Sequence, residues 1–264
     1  VVTLDDVPVS WLGQALVDSA EAMKRADEKM YRWVWLGQAV GVDELIYYMF
    51  GDRHRQKPDP NRRYDRIYIG GDYGQQNATT FEAFGLDTYR KKFPGLGEYY
   101  HSGRETGKQK SPSEYAQDLV EFMNELHEQY DNRVFYIFLD PSAKGLAEAT
   151  RAVSLDYQVF LRDAENDVAL GISRVQKVLS FDIMSIAPKQ EYAVSEFGTY
   201  EYDKKSIEKG KEVPVKEDDH CMDAIRYCVM GAWKRLKYWL PKDETEEIDV
   251  CDISRKEVED DEYL

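Results

Sequence analysis

Positive charge is scarce in this chain: 35 Lys and Arg stand against 50 Asp and Glu, for a formal net charge of −15 over 264 residues. Phosphate binding normally draws on Lys and Arg, so the overall composition gives no sign of nucleic acid. Part of the acid excess is local, because Pro241–Leu264 carries eleven acids against three bases (Lys242, Arg255, Lys256). Cysteine is scarcer still. Cys221 and Cys228 fall on one predicted helix and Cys251 in the polar tail. None has zinc-ligand spacing and three cannot build a disulfide framework, so a reducing cytoplasm is the simplest setting. Cys221 and Cys228 read as core packing. No apolar run reaches the roughly 18 residues that span a bilayer, and no secretory signal pattern opens the chain. It begins with Val, and its opening residues read as the interior of something longer, so the chain is expected to be the C-terminal piece of a larger polypeptide.

What is present is a globular composition, 42% apolar and 13% aromatic. Residues 9–50 are helical in pattern: Ser10 can cap a helix bearing Trp11, Leu12, Ala15, Leu16 and Met23 near 3.6-residue spacing. Residues 51–65 are polar with two prolines and read as a linker. From residue 66 strands take over, over 66–72, 78–87 and near 97–101. Ser111-Pro112-Ser113-Glu114 then combines a Ser cap, Pro at the first helical position and the Glu of a capping box. Val134–Leu139 is almost wholly apolar, as befits a central strand covered on both faces. A helix from Gly145, a strand at 157–161, a helix at 167–179, a strand at 183–186 and a helix from His220 to Lys237 follow. The expectation is an α/β fold with a mixed sheet over residues 66–240, preceded by a helical segment (1–50) and a linker (51–65). The acidic residues 241–264 are expected to be disordered.

Three aspartates stand at informative places. Asp72 closes the first strand within Gly70-Gly71-Asp72-Tyr73-Gly74, Asp140 closes the strand 134–139, and Asp223 lies one turn into the last helix with His220 three residues before it. Each has a structural reading. Asp72 can stabilise its own turn, and Asp140 can cap the next helix. Asp223 is free of capping because Asp218 or Asp219 can serve as N-cap, and a partly buried acid needs a partner. Together the three make a cage of hard oxygen donors for two Mg²⁺ or Mn²⁺ ions, which suits hydrolysis of a phosphodiester. His220 reads as a ligand, a water-orienting base or a packed polar residue.

Lys204, Lys205, Lys209, Lys211 and Lys216 cluster in a segment that reads as a hairpin ahead of the last helix. They form either a solvated face or a guide for a DNA backbone. Gly103–Gln109 looks like a phosphate loop but is one residue short and has Gln where Ser or Thr should reach Mg²⁺, so it is rejected.

The stretches Ile69–Asn77, Phe138–Ala143, Gly171–Gln176 and Asp219–Tyr227 together resemble the C-terminal nuclease domain of the large terminase subunit of tailed phages. Tyr31–Gly37 resembles the end of that family's ATPase domain. The sequence has Asn77-Ala78 where the family often has Asn-Pro, and it lacks the ATPase core. The resemblance implies an RNase H-like fold, with Asp72, Asp140 and Asp223 as metal ligands and His220 assisting. It further implies cutting of concatemeric double-stranded DNA in the host cytoplasm at the procapsid, with the terminase small subunit and the portal as partners and no membrane. Another RNase H-like nuclease (a junction resolvase or an RNase H), a portal or capsid docking module and, more weakly, a metal-dependent phosphatase stay open as alternatives.

Overall fold

A computed structural model describes residues 16, 17, 20, 45–74, 78–153, 157–207 and 211–241. Most of the helical segment, Tyr31–Gly37, Lys209 and the acidic tail lie outside the described residues. Six strands form one mixed sheet: β1 (Arg66–Tyr73), β2 (Ala78–Leu86), β3 (Phe93–Ser102), β4 (Val134–Leu139), β5 (Gln158–Asp163) and β6 (Met184–Ser185). Their order is β5-β4-β1-β2-β3-β6. The first three strands form an antiparallel meander, whereas β4 runs parallel to β1 and β5 parallel to β4.

The longer helices are α1 (Pro112–Tyr130), α2 (Lys144–Ala152), α3 (Val168–Ser180), α4 (Glu191–Phe197) and α5 (His220–Leu236). Strand alternation sorts side chains to the two faces. On β1, Ile67 and Ile69 join the core under α1 and α2, while Tyr68 joins the core under α3, α4 and α5. The capping box before α1 is present, with Ser111 Oγ accepting from Glu114 N and Glu114 reaching back to Ser111 N. Asp167 likewise caps α3. No helix among the described residues is long and apolar enough to cross a membrane.

The structure departs from the sequence reading in several places. Helix α4 carries no strong start signal and was not anticipated; Gln190 at its N-cap makes no side-chain cap bond. The segment before α5 turns back on itself as a hairpin, but among the described residues its arms meet at the antiparallel bridge Tyr202↔Pro214 rather than as strands, and a four-residue helical turn, Lys204–Ile207, stands between them. Helix α5 is buried around nearly its whole circumference from Cys221 to Met230, rather than along one stripe. The proline-bearing stretch 51–65 packs on the sheet domain, with His54 and Tyr64 buried.

That packing is fastened by Arg62, which donates twice to the buried Asp87, through Nε at 2.7 Å and Nη2 at 2.6 Å. Burial opposes ionisation of Asp87, but the Arg62 bonds and the Arg90 N–H outweigh it and hold the carboxyl below its usual range. A lowered carboxyl stabilises the fold above the ordinary carboxylate range of about 3.9, and the contribution is lost as pH falls through the lower folded value. Urea unfolding at pH 7 and pH 3 should therefore show the parent losing more stability on acidification than Asp87→Asn does.

Candidate metal centre

The last registered pair between the parallel strands β1 and β4 is Gly71↔Leu139. Asp72 and Asp140 are the next residue on each strand, so they stand side by side at the carboxyl ends of neighbouring strands. Asp140 N donates to Gly71 O at 3.2 Å and holds the two strand ends together. Carboxyl ends of sheet strands are where α/β proteins place their sites. Helix α5 crosses the same sheet face. It lies so close to β1 that a Cβ on Gly70 would sit 1.9 Å from Ala224 O. This contact brings the first turn of α5, with His220 and Asp223, over the end of β1.

The side chains then form one network. His220 Nδ1 lies 2.8 Å from Asp72 Oδ2. Burial works against charge on His220, but the Asp72 carboxylate outweighs it and raises the imidazole above its ordinary value. Asp72 is itself raised, chiefly by burial; His220 opposes this, and the negative charges of Asp223 and Asp140 add to it. Asp140 accepts from Ser142 N at 2.7 Å through Oδ1 and from Tyr227 Oη at 2.7 Å through Oδ2. Burial would raise Asp140, but these bonds and the nearby charge of Arg226 bring it below its usual range. Asp223 Oδ1 accepts from Arg226 Nη2 at 3.0 Å, and its Oδ2 lies 3.2 Å from Lys216 Nζ. Asn166 bridges the two halves, accepting from Arg226 Nη2 at 3.0 Å and donating to Asp140 at 3.4 Å.

Asp72, Asp140, His220 and Asp223 are thus brought together. Asp140 does not cap the following helix, whose N-cap Ala143 makes no side-chain cap bond; its Oδ1 stabilises its own turn through Ser142 N, while Oδ2 faces the network. The capping assignment needs correction. Asp219 occupies the N-cap position of α5 without a side-chain cap bond and pairs instead with Lys216. The first N–H groups of α5 go to Glu196 Oε2, which accepts from Cys221 N at 2.8 Å and Met222 N at 3.0 Å. Of the lysine cluster, Lys216 reaches the aspartates. Lys204, Lys205 and Lys211 stand on the exposed segment before it.

Sequence reasoning missed Asn166, Glu196 and the two residues of α5 that fasten the aspartates, Arg226 and Tyr227. Arg226 stands three residues after Asp223, and that spacing was a usable signal. The donor set fits hard divalent cations, being three carboxylates from three elements. Their oxygens do not all lie within 4.8 Å of one another, and Asp140 and Asp223 are each held by donors of their own. A spread arrangement is compatible with two ions, which in such sites stand about 3.5–4 Å apart.

The family model described as "Terminase RNAseH like domain" matches residues 72–230. The large terminase of the thermophilic bacteriophage D6E is 31% identical to the chain, with a TM-score of 0.61, over 86% of this chain and 53% of that one. Its complex with ATP-gamma-S gives 31% identity and a TM-score of 0.62, over 86% and 54%. The P22 large terminase nuclease domain shares the fold at 15% identity and a TM-score of 0.53, over 72% of this chain and 92% of that domain. The chain therefore spans about half the length of the D6E large terminases. No curated protein matches it.

Proposed function

The chain belongs to the terminase RNase H-like family, and from that premise we propose that it is a metal-dependent endonuclease that cuts concatemeric viral DNA during genome packaging. One observation carries the reading: Asp72 and Asp140 end adjacent parallel strands, and α5 brings Asp223 into the same network. In this reading Asp72, Asp140 and Asp223 would hold Mg²⁺ or Mn²⁺, two ions in all. Bound ions of this kind supply positive charge to the oxygens of a phosphodiester and acidify water.

The chain's own residues do the rest. Tyr227 and Ser142 N fix the Asp140 carboxylate, and Arg226 and Asn166 fix that of Asp223. His220 holds Asp72 through Nδ1, which leaves its other ring nitrogen to carry a proton as the phosphodiester is hydrolysed to a 5′-phosphate and a 3′-hydroxyl. Lys204, Lys205, Lys209 and Lys211, ahead of Lys216, are assigned to the DNA backbone, a contact of low sequence specificity. The terminase small subunit and portal are the proposed partners, and the host cytoplasm, at the procapsid, the proposed place.

The test is plasmid nicking and linearisation with Mn²⁺, Mg²⁺ or EDTA, run beside Asp140→Ala. Cutting that needs metal and is lost in the variant is expected. Cutting that survives EDTA or Asp140→Ala would overturn the assignment. Preference for a four-way junction or an RNA–DNA hybrid over linear duplex would move the chain to another RNase H-like activity.

A further inference from the structure

A second set of ligand atoms lies behind the first turn of α5, outside the proposed nuclease chemistry. Glu82 on β2, Glu98 on β3 and Cys221 on α5 each bring a ligand atom to within 4.8 Å of the others. Glu82 and Glu98 are direct cross-strand partners, a pairing that like charges disfavour. Glu82 and Cys221 are fully buried, and among the described residues no Lys or Arg ion pair reaches either glutamate. Burial pushes Glu82 well above the ordinary carboxyl range, and the neighbouring Glu98 adds to it.

Hydrogen bonds account for only part of the set. Glu82 Oε2 accepts from Gln190 Nε2 at 2.7 Å. The Glu98 carboxylate accepts from the N–H groups of Tyr192 and Ala193 at 3.1 and 2.7 Å. Glu82 Oε1 is left buried in the cluster without a hydrogen-bond partner. A buried, unpartnered carboxylate oxygen is costly unless something neutralises it.

The spacing identifies what could. Cys221 Sγ stands 3.8 Å from Glu98 Oε2 and 3.7 Å from Thr80 Oγ1. A tetrahedral zinc ion, with Zn–S about 2.3 Å and Zn–O about 2.0–2.2 Å, holds a sulfur and an oxygen about 3.6 Å apart. Thiolate beside carboxylate also favours Zn²⁺ over Mg²⁺, the reverse of the preference at the three aspartates. We propose that Glu82, Glu98 and Cys221 supply three ligands of a zinc site that ties β2 and β3 to the first turn of α5. On binding, the proton of the Cys221 thiol and any proton on Glu82 are released to solvent, leaving thiolate and carboxylates on the ion. Entry is from the side of Glu98, which is half-buried beside the stacked rings of Tyr100 and Tyr192. No sequence spacing announces the site because its ligands come from three separate elements.

Metal content tests this without recourse to DNA cleavage, so it stands or falls apart from the nuclease reading. Chain equilibrated with Zn²⁺ and freed of excess metal should retain about one zinc per chain, in the parent and in Asp72→Asn alike. Cys221→Ala and Glu82→Gln should each retain less than about a tenth of that. Co²⁺ in its place should give a thiolate-to-cobalt charge-transfer band in the parent, absent in Cys221→Ala. If the variants do not fold, the cobalt spectrum of the parent alone decides. Zinc lost in Asp72→Asn but kept in Cys221→Ala would overturn the proposal in favour of the aspartates. A parent that binds neither metal here would overturn it too, and would leave Glu82 sharing a proton with Glu98.

Discussion

Asp72→Asn is expected to cut plasmid DNA on the order of 10³-fold more slowly than the parent while melting within a few degrees of it. In the proposed reading Asp72 would help hold the ions whose charge meets the phosphodiester, and such stabilisation is worth several kcal/mol. At 1.36 kcal/mol per tenfold in rate, about 4 kcal/mol gives that loss. The fold should be spared because two effects oppose. The amide gives up the ionic contact with His220, but it also removes a buried negative charge that burial and the nearby Asp223 and Asp140 already disfavour. Rates measured beside thermal melts decide the matter. Unimpaired cutting by the variant would remove Asp72 from the chemistry.

Gly70→Ala should do the reverse and damage the fold first. The added methyl meets Ala224 O at 1.9 Å, Ala224 C at 2.9 Å and Cys228 Sγ at 3.0 Å. Two of these are backbone atoms of a helix buried on nearly every side, so no side chain can swing away. Overpacking of this kind costs about 3 kcal/mol, which for a domain of this size lowers Tm by roughly 6–12 °C. Any chain that still folds must lift α5 from β1. That moves His220 and Asp223 away from Asp72, and a displacement near 1 Å costs on the order of 10²-fold in rate. Gly51→Ala is the control, since nothing lies within 4 Å of its added Cβ, and its effect should stay within about 0.5 kcal/mol. Equal melting temperatures for the two variants would contradict the close packing of α5 on β1.

The parts of this architecture written in local pattern were legible from sequence. The apolar run of β4, the capping box of α1 and the glycine-flanked Asp72 each carry their signal within a few residues. That is why these strands, α1 and the place of Asp72 at a strand end are legible from local sequence. Other features depend on partners far along the chain. The first turn of α5 is capped by Glu196, about two dozen residues upstream, so a nearby Asp219 was the natural but mistaken choice. Asn166 links Asp140 to Arg226 only once three elements have come together. Stretch 51–65 looked like a linker because its prolines and charges are local facts, whereas the burial of His54 and Tyr64 depends on the sheet beneath them.

The contact between His220 and Asp72 joins residues 148 apart in sequence. That distance is also an interval of time. At about 5–20 residues per second, a ribosome needs roughly 7–30 s to travel from the first to the second. Throughout it, a nascent chain can hold Asp72, and later Asp140, but not the helix that brings the third carboxylate. In the proposed reading, the host's own chromosome would thus meet this cutter only after nearly all of the folded domain had been translated.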